Sequence, residues 1–302
     1  MPCFIITVNV KCVSFLFFVF IISEPVCLIA VMKGNMQILT TMCALLCWMQ
    51  PISSKKISDI FGPQQDAYQV IPLSMVEDAV DDMYFGCNEK MAKTVKDNYF
   101  KKEVTSEIFG KAWKQAKGCA TRSLERKRKE DVALTKDHMQ AICLYTSDYE
   151  KFYKKFNEAV RTNRKIYGTC FPFHSLHFWL TSAIQILNYN KKCITTYRRT
   201  NVTFDSNDKM IRFGFFASSS YSTDLKKFGN KTCFKIKTCF GAFLKDYPYL
   251  GSKEQEVLIP PYEKFKITKA KKRFVEGLTD CEIIYNLESA GVESNLDCRA
   301  AK

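Results

Sequence analysis

Thr232-Cys233-Phe234-Lys235-Ile236-Lys237-Thr238-Cys239-Phe240 decides the fold class. Thr232, Phe234, Ile236, Thr238 and Phe240 alternate with Cys233, Lys235, Lys237 and Cys239, and a period of two marks a half-buried strand. Residues 263–270 repeat it, with Phe265 and Ile267 against Lys264, Lys266 and Lys269, and 281–287 is the last strand candidate. Upstream of Cys193 the period changes. Phe152, Phe156 and Val160 recur at i, i+4, i+8, the spacing of one buried helical stripe. Leu176, Leu180, Ala183, Ile184 and Leu187 predict a core helix over 173–188. The acidic run 75–84, opened by Ser74, and the charged run 112–134 complete a region, 55 to about 190, that reads as mainly helical. Helices first and strands afterwards predict an α+β fold, a mainly helical N-terminal part packed on an antiparallel-rich β core. No Gly-, Ser- or Pro-rich linker divides 55–302, so these residues are expected to form a single domain.

A chain of 302 residues, 47% hydrophobic, can build a real core, which rules out disorder for most of it. Its net charge of +14 suits nucleic acid, an anionic membrane surface or an acidic small ligand. The basic residues are dispersed, however, and the densest run, Arg126-Lys127-Arg128-Lys129, lies between Glu125 and Glu130 as a solvated face, which argues against nucleic acid. Fourteen cysteines without C-x-x-C pairs or zinc-spaced Cys/His clusters point to an oxidising compartment and to no metal. Two glycosylation sequons, at Asn201 and Asn230, belong with the secretory pathway.

Met32-Lys33, the apolar run 38–49 and Pro51-Ile52-Ser53-Ser54 have the order of a signal peptide. The upstream apolar run 13–22 is too short to span a bilayer comfortably and reads as an extension from an early start codon. Residues 1–54 are therefore expected to be a signal peptide or apolar extension, with an uncleaved anchor as the alternative. Arg299-Ala300-Ala301-Lys302 is polar and basic, whereas a glycosylphosphatidylinositol (GPI) anchor requires a hydrophobic C-terminal tail. The expectation is a secreted protein without that anchor, and membrane retention is the alternative.

The chemistry centres on Lys253-Glu254-Gln255-Glu256-Val257-Leu258-Ile259-Pro260-Pro261. On a strand Glu254 and Glu256 would face the same way, and two carboxylates sharing one site suit a cationic ligand. Upstream stand Thr196-Tyr197-Arg198-Arg199-Thr200 and Arg212-Phe213-Gly214-Phe215-Phe216-Ala217-Ser218-Ser219-Ser220. This order of arginine, serine and Glu-x-Glu resembles the vertebrate ecto-mono-ADP-ribosyltransferases, arginine-specific enzymes with an R-S-E triad. Phe156-Asn157-Glu158-Ala159-Val160-Arg161, Ser175-Leu176-His177-Phe178-Trp179-Leu180-Thr181 and Thr238-Cys239-Phe240-Gly241 also look like that family's blocks. The resemblance covers roughly residues 65 to 298.

The resemblance implies an ADP-ribosyltransferase-like fold. It also implies transfer of ADP-ribose from NAD+, with NADP+ as an alternative donor, to accessible arginines of extracellular or cell-surface proteins, with release of nicotinamide. Glu256 would hold the ribose hydroxyls and stabilise the oxocarbenium-like state of glycosidic cleavage. Glu254 would bind the acceptor guanidinium and act as its general base. Arg198 would grip the diphosphate, and Ser218, supported by Ser220, would fix ribose and carboxylate. No G-x-G-x-x-G follows a strand, so NAD+ would be a substrate and not a redox cofactor. His138, His174 and His177, the only histidines, lack a catalytic partner in sequence and read as structural.

By the same resemblance, Cys87 pairs with Cys298 and Cys193 with Cys239. That leaves Cys119, Cys143, Cys170, Cys233 and Cys281, an odd number expected to include a free thiol or an intermolecular partner. Arg199 stands where the family usually has glycine. It would either block the phosphate pocket, leaving a catalytically weakened NAD-binding relative, or add a phosphate contact, and a glycan on Asn201 would crowd the same rim. Water as acceptor, in an NAD+ glycohydrolase, is the remaining alternative.

Overall fold

A computed structural model describes residues 4–10, 13–20, 27–29, 70–190, 192–206, 208–270 and 275–301. The chain divides into Met1–Gln65 and Asp66–Lys302. In the first unit β1 (Phe4–Val10), β2 (Val13–Phe20) and β3 (Cys27–Ile29) form an antiparallel sheet. The signal-peptide reading of 32–54 lies outside the described residues. Among those described, no helix is long and apolar enough to cross a membrane.

The second unit begins with helices. α1 (Asn88–Thr94) runs through a π turn, Val95–Tyr99, into α2 (Phe100–Glu103), followed by α3 (Glu107–Glu125), α4 (Lys136–Tyr145), α5 (Phe152–Thr162) and α6 (His174–Leu187). Ser106 caps α3 by accepting from the Phe109 amide, and Thr135 with His138 closes a capping box on α4. The predicted stripes are buried: Phe152, Phe156 and Val160 on α5, and Leu176, Leu180, Ala183 and Ile184 on α6. Each large apolar side chain so placed contributes about 1.5–3 kcal/mol. The basic run 126–129 follows α3 and does not lie on it, because the helix stops at Glu125.

Residues 75–84 are not helical. Their aspartates are committed to tertiary contacts instead. Asp81 and Asp82 are fully buried, Asp81 accepting from the Asn295 and Leu296 amides and Asp82 from the Tyr84 and Cys298 amides and the Tyr167 hydroxyl. Buried carboxylates must find donors, and an irregular segment can direct both inward.

The strands are β4 (Val70–Pro72), β5 (Ile194–Thr200), β6 (Thr203–Asp205), β7 (Met210–Arg212), β8 (Ala217–Ser220), β9 (Thr232–Thr238), β10 (Ala242–Phe243), β11 (Glu256–Ile259), β12 (Glu263–Ala270) and β13 (Ile283–Val292). Eight of them form one sheet in the order β10-β11-β8-β5-β9-β13-β12-β7. All its pairs are antiparallel except β9 with β13. On β9 the alternation holds at Phe234 and Ile236, which are buried, and at Lys235 and Lys237, which are exposed. Cys233 departs from it, buried by its disulfide to Cys281 and by Leu278 and Ile284. β8 meets β5 at one pair, Tyr197 and Ser220, the shortest ladder of the sheet. The triad's arginine and serine lie on these two strands.

Cys87–Cys298 and Cys193–Cys239 are bonded, as are Cys119–Cys143 and Cys233–Cys281. Cys170 is also in a disulfide, so the expected free or intermolecular thiol is not among those five cysteines. Closing a separation of 211 residues between Cys87 and Cys298 contributes about 5 kcal/mol by chain entropy.

Two blocks that carried the resemblance turn out to be structural. In Thr238-Cys239-Phe240-Gly241, the buried Glu263 carboxylate accepts from Thr238 Oγ1 at 2.5 Å, the Cys239 amide at 2.7 Å and Ser289 Oγ at 2.6 Å, which fixes the turn. In Arg212-Phe213-Gly214, Gly214 has φ +67, and an added Cβ would lie 2.6 Å from a Val76 methyl.

Candidate active site

Antiparallel pairing sets Glu256 opposite Ser220 and Leu258 opposite Ser218, so Ser218, Ser220 and Glu256 share one face. The Ser218 hydroxyl lies near enough to the Glu256 carboxylate and the Tyr145 hydroxyl to favour the ionised form of each. Ser219 faces the other way and is structural, accepting from Thr196 Oγ1 and donating to the Val257 carbonyl. Ser220 donates to the Glu254 carbonyl at 2.6 Å and so pins the turn before β11. Tyr145 donates to the Phe216 carbonyl, and Asn157 Nδ2 donates to Tyr145 at 3.0 Å and to the same carbonyl at 3.3 Å. The α4–α5 layer thereby holds the strand that carries Ser218.

Arg198 reaches this face from β5. Its Nη1 donates to the Ser218 carbonyl at 2.5 Å, and its guanidinium lies 5.9 Å from the Phe215 ring centroid. Arg161 of α5 lies 6.0 Å from the same ring. Two guanidiniums therefore flank Phe215, and burial lowers the pKa of each. Reading the chain as sequence missed Arg161 as a site residue. It was in plain view as the last residue of the Phe156–Arg161 block, but helical periodicity alone gave it no role.

Glu256 is 7% exposed, and its pKa is pushed up to about 7, chiefly by burial. The nearby Ser218 hydroxyl opposes the rise, the Glu254 charge adds to it, and Arg198 opposes it. The two glutamates are thus electrostatic neighbours, though not by strand alternation. Glu254 ends a single 3₁₀ turn, Gly251–Glu254, and Gln255 adopts left-handed φ +44 before β11 begins at Glu256. The turn places Glu254 at the rim, where its carboxylate pairs with Lys227.

Arg199 neither blocks the phosphate side nor adds to it. Strand alternation turns it away from Arg198. Its Nε donates to the Thr223 carbonyl at 2.7 Å, Nη1 to Asp280 at 2.9 Å and Nη2 to the Gly277 carbonyl at 2.8 Å, so the side chain ties two loops together. The histidines are structural as well. His174 contacts Glu103 at 3.2 Å and stacks on Tyr99, while His177 bridges the Tyr84 hydroxyl and the Val80 carbonyl. Among the described residues no group of three or more His, Cys, Asp or Glu could hold a metal.

A buried carboxylate beside a serine, two guanidiniums about one phenylalanine ring and a second carboxylate at the rim thus come together from β11 and the turn before it, β8, β5 and α5. The chain belongs to the NAD:arginine ADP-ribosyltransferase family, whose model matches residues 73–279. It is 32% identical over 214 residues to ecto-ADP-ribosyltransferase 5 of Rattus norvegicus, covering 67% of this chain and 69% of that protein. It is 35% identical over 217 residues to T-cell ecto-ADP-ribosyltransferase 1 of Mus musculus, covering 68% and 70%. A variant of the mono-ADP-ribosyltransferase ART2.2, solved in complex with NADH, superimposes with a TM-score of 0.65 at 28% identity, over 76% of this chain and 98% of that one. The activity of the chain is ADP-ribose transfer from NAD+ to arginine, with NAD+ as substrate.

Proposed function

We propose that Arg198, Ser218, Glu254 and Glu256 carry this transfer, and that its acceptors are arginines of extracellular or cell-surface proteins. The observation that carries the reading is the buried Glu256 carboxylate, on the strand face it shares with Ser218 and under the influence of Arg198 and Glu254. The donor set suits NAD+: guanidiniums of Arg198 and Arg161 for the diphosphate, and Ser218 with Glu256 for the ribose beside the breaking bond. As nicotinamide leaves, positive charge develops on the ribose, and a carboxylate already in a low-dielectric site stabilises it without reorganising. Glu254 receives the acceptor guanidinium at the rim and takes its proton as the new bond forms. NADP+ is a second donor in this reading, as the name of the NAD(P)+–arginine ADP-ribosyltransferase of Gallus gallus erythroblasts suggests, a relative 30% identical over 243 residues.

Glu254→Gln separates the two carboxylates. With labelled NAD+ and a small guanidino compound, the variant should lose roughly 10²–10⁴-fold in conjugate formation, the range of a general base. It should still release nicotinamide to water. Equal loss of both activities would mean that the glutamates act as one unit.

The disulfides and the ecto-enzymes among the relatives support an extracellular or cell-surface location. Secretion after cleavage near Ser53 or Ser54 is the finer proposal, with Asn201 and Asn230 glycosylated. Both asparagines are exposed, and the Asn230 amide donates to Asn201 Oδ1 at 3.3 Å, so the two glycans would share one patch. N-terminal sequencing of protein from medium and membranes should find the mature terminus near Lys55 in the medium. Uncleaved chain confined to membranes would overturn it.

A further inference from the structure

The acceptor carboxylate already has a cation on it. Lys227 Nζ pairs with Glu254 Oε1, an ammonium standing where an acceptor guanidinium would have to stand. The Lys227 side chain is 58% exposed and that of Glu254 22%, so the pair sits at the open rim and not in the core. Lys227 is the middle residue of a one-turn helix, Lys226–Phe228, and its ammonium also lies 4.9 Å from the exposed Phe228 ring. The backbone of this turn is held firmly. Gly229 follows with φ +116, and a Cβ there would lie 2.1 Å from Asn201 Oδ1. The Phe228 and Gly229 amides donate back to the Leu225 and Lys226 carbonyls. What can yield is the lysine side chain alone, swinging into solvent without moving the turn.

We propose that Lys227 is a specificity-determining residue, an intramolecular competitor that occupies Glu254 until an incoming guanidinium displaces it. The inference rests on the reading of Glu254 as the acceptor carboxylate. A tethered ammonium acts at high effective concentration against any free amine, which can offer only the same single-point contact. A guanidinium can grip the carboxylate with two parallel N–H donors and displaces the ammonium more readily. The pair therefore favours arginine over lysine acceptors and raises the concentration of arginine needed for half-maximal rate. An exposed ion pair of this kind is weak, which limits the effect to a few-fold.

The test uses the full chain and Lys227→Gln. The KM for a small guanidino acceptor should fall about two- to fivefold, with kcat, the KM for NAD+ and nicotinamide release to water unchanged. An amine acceptor should gain at least as much. Lys227→Arg, which offers Glu254 a tethered fork, should raise the guanidine KM above wild type. An unchanged or higher guanidine KM in Lys227→Gln overturns the proposal. Calorimetric titration of the guanidino compound, in the presence of a non-hydrolysable NAD+ analogue, gives the same comparison without turnover. Tighter binding in Lys227→Gln with no conjugate from the wild type would retain the competitor and sink the transferase reading. Conjugate formation with unmoved affinity would do the reverse.

Discussion

Glu256→Gln should lower nicotinamide release by about 10²–10³-fold, the loss expected when a preorganised group facing the developing charge is neutralised. The same substitution should make the protein more stable at neutral pH. Burial lifts the Glu256 pKa from 4.5 to about 7, so the unfolded chain releases this proton more readily than the folded one. Ionisation then costs stability as pH rises from about 4.5, and the cost is complete above about 7. Glutamine removes it. The variant should exceed wild type by about 1–3 kcal/mol above pH 7, with no advantage below about pH 4.5. Activity runs with the opposite sign, since the ionised form stabilises the ribosyl cation. The kcat/KM for NAD+ cleavage should therefore climb as pH rises through about 7 in the wild type. Denaturant titrations at pH 4 and 8, beside a pH–rate profile, read both effects. A variant that is inactive and also less stable at pH 8 would show that Glu256 holds the fold together.

Periodicity made the α+β order legible: the stripes of 152–160 and 176–187 pack into one hydrophobic core and Phe234 and Ile236 of β9 into another, and a regular pattern encodes such contacts directly. It failed at 75–84, where acidic residues suggested a helix but Asp81 and Asp82 serve amides and hydroxyls more than eighty residues away in sequence. No local pattern records donors that distant. The site followed the same division. The Glu-x-Glu run was visible, yet the left-handed Gln255, which makes Glu254 a rim residue and not a strand residue, is set by the turn at 251–254. Arg199 was legible only as a departure from a pattern. Its partners Thr223, Gly277 and Asp280 come from loops that sequence alone does not bring together. The pairings Cys119–Cys143 and Cys233–Cys281 likewise follow from contacts of α3 with α4 and of β9 with the segment before β13.

Arg212→Ala should cost about 3–5 kcal/mol of stability, a large share of the 5–15 kcal/mol that a domain usually has. Arg212 and Asp81 form an ion pair at 2.7 Å with neither side chain exposed. The guanidinium also donates to the carbonyls of Met75, Val76 and Glu293, so one side chain ties the irregular segment 75–84 to β7 and to the chain beyond β13. Alanine would strand the Asp81 carboxylate in the interior, still bonded to the Asn295 and Leu296 amides but without its countercharge, and would leave three carbonyls short of a donor. Asp81→Asn in the same chain neutralises the stranded charge. The double variant should therefore recover part of the loss, and the coupling between the two positions should exceed 1 kcal/mol. Because Arg212 lies outside the catalytic constellation, protein that remains folded at low temperature should keep its KM for NAD+. Chemical unfolding of wild type, both single variants and the double variant measures the cycle. A single-variant cost below about 1 kcal/mol, or strictly additive changes, would mean that the pair is no tighter than a solvated surface contact.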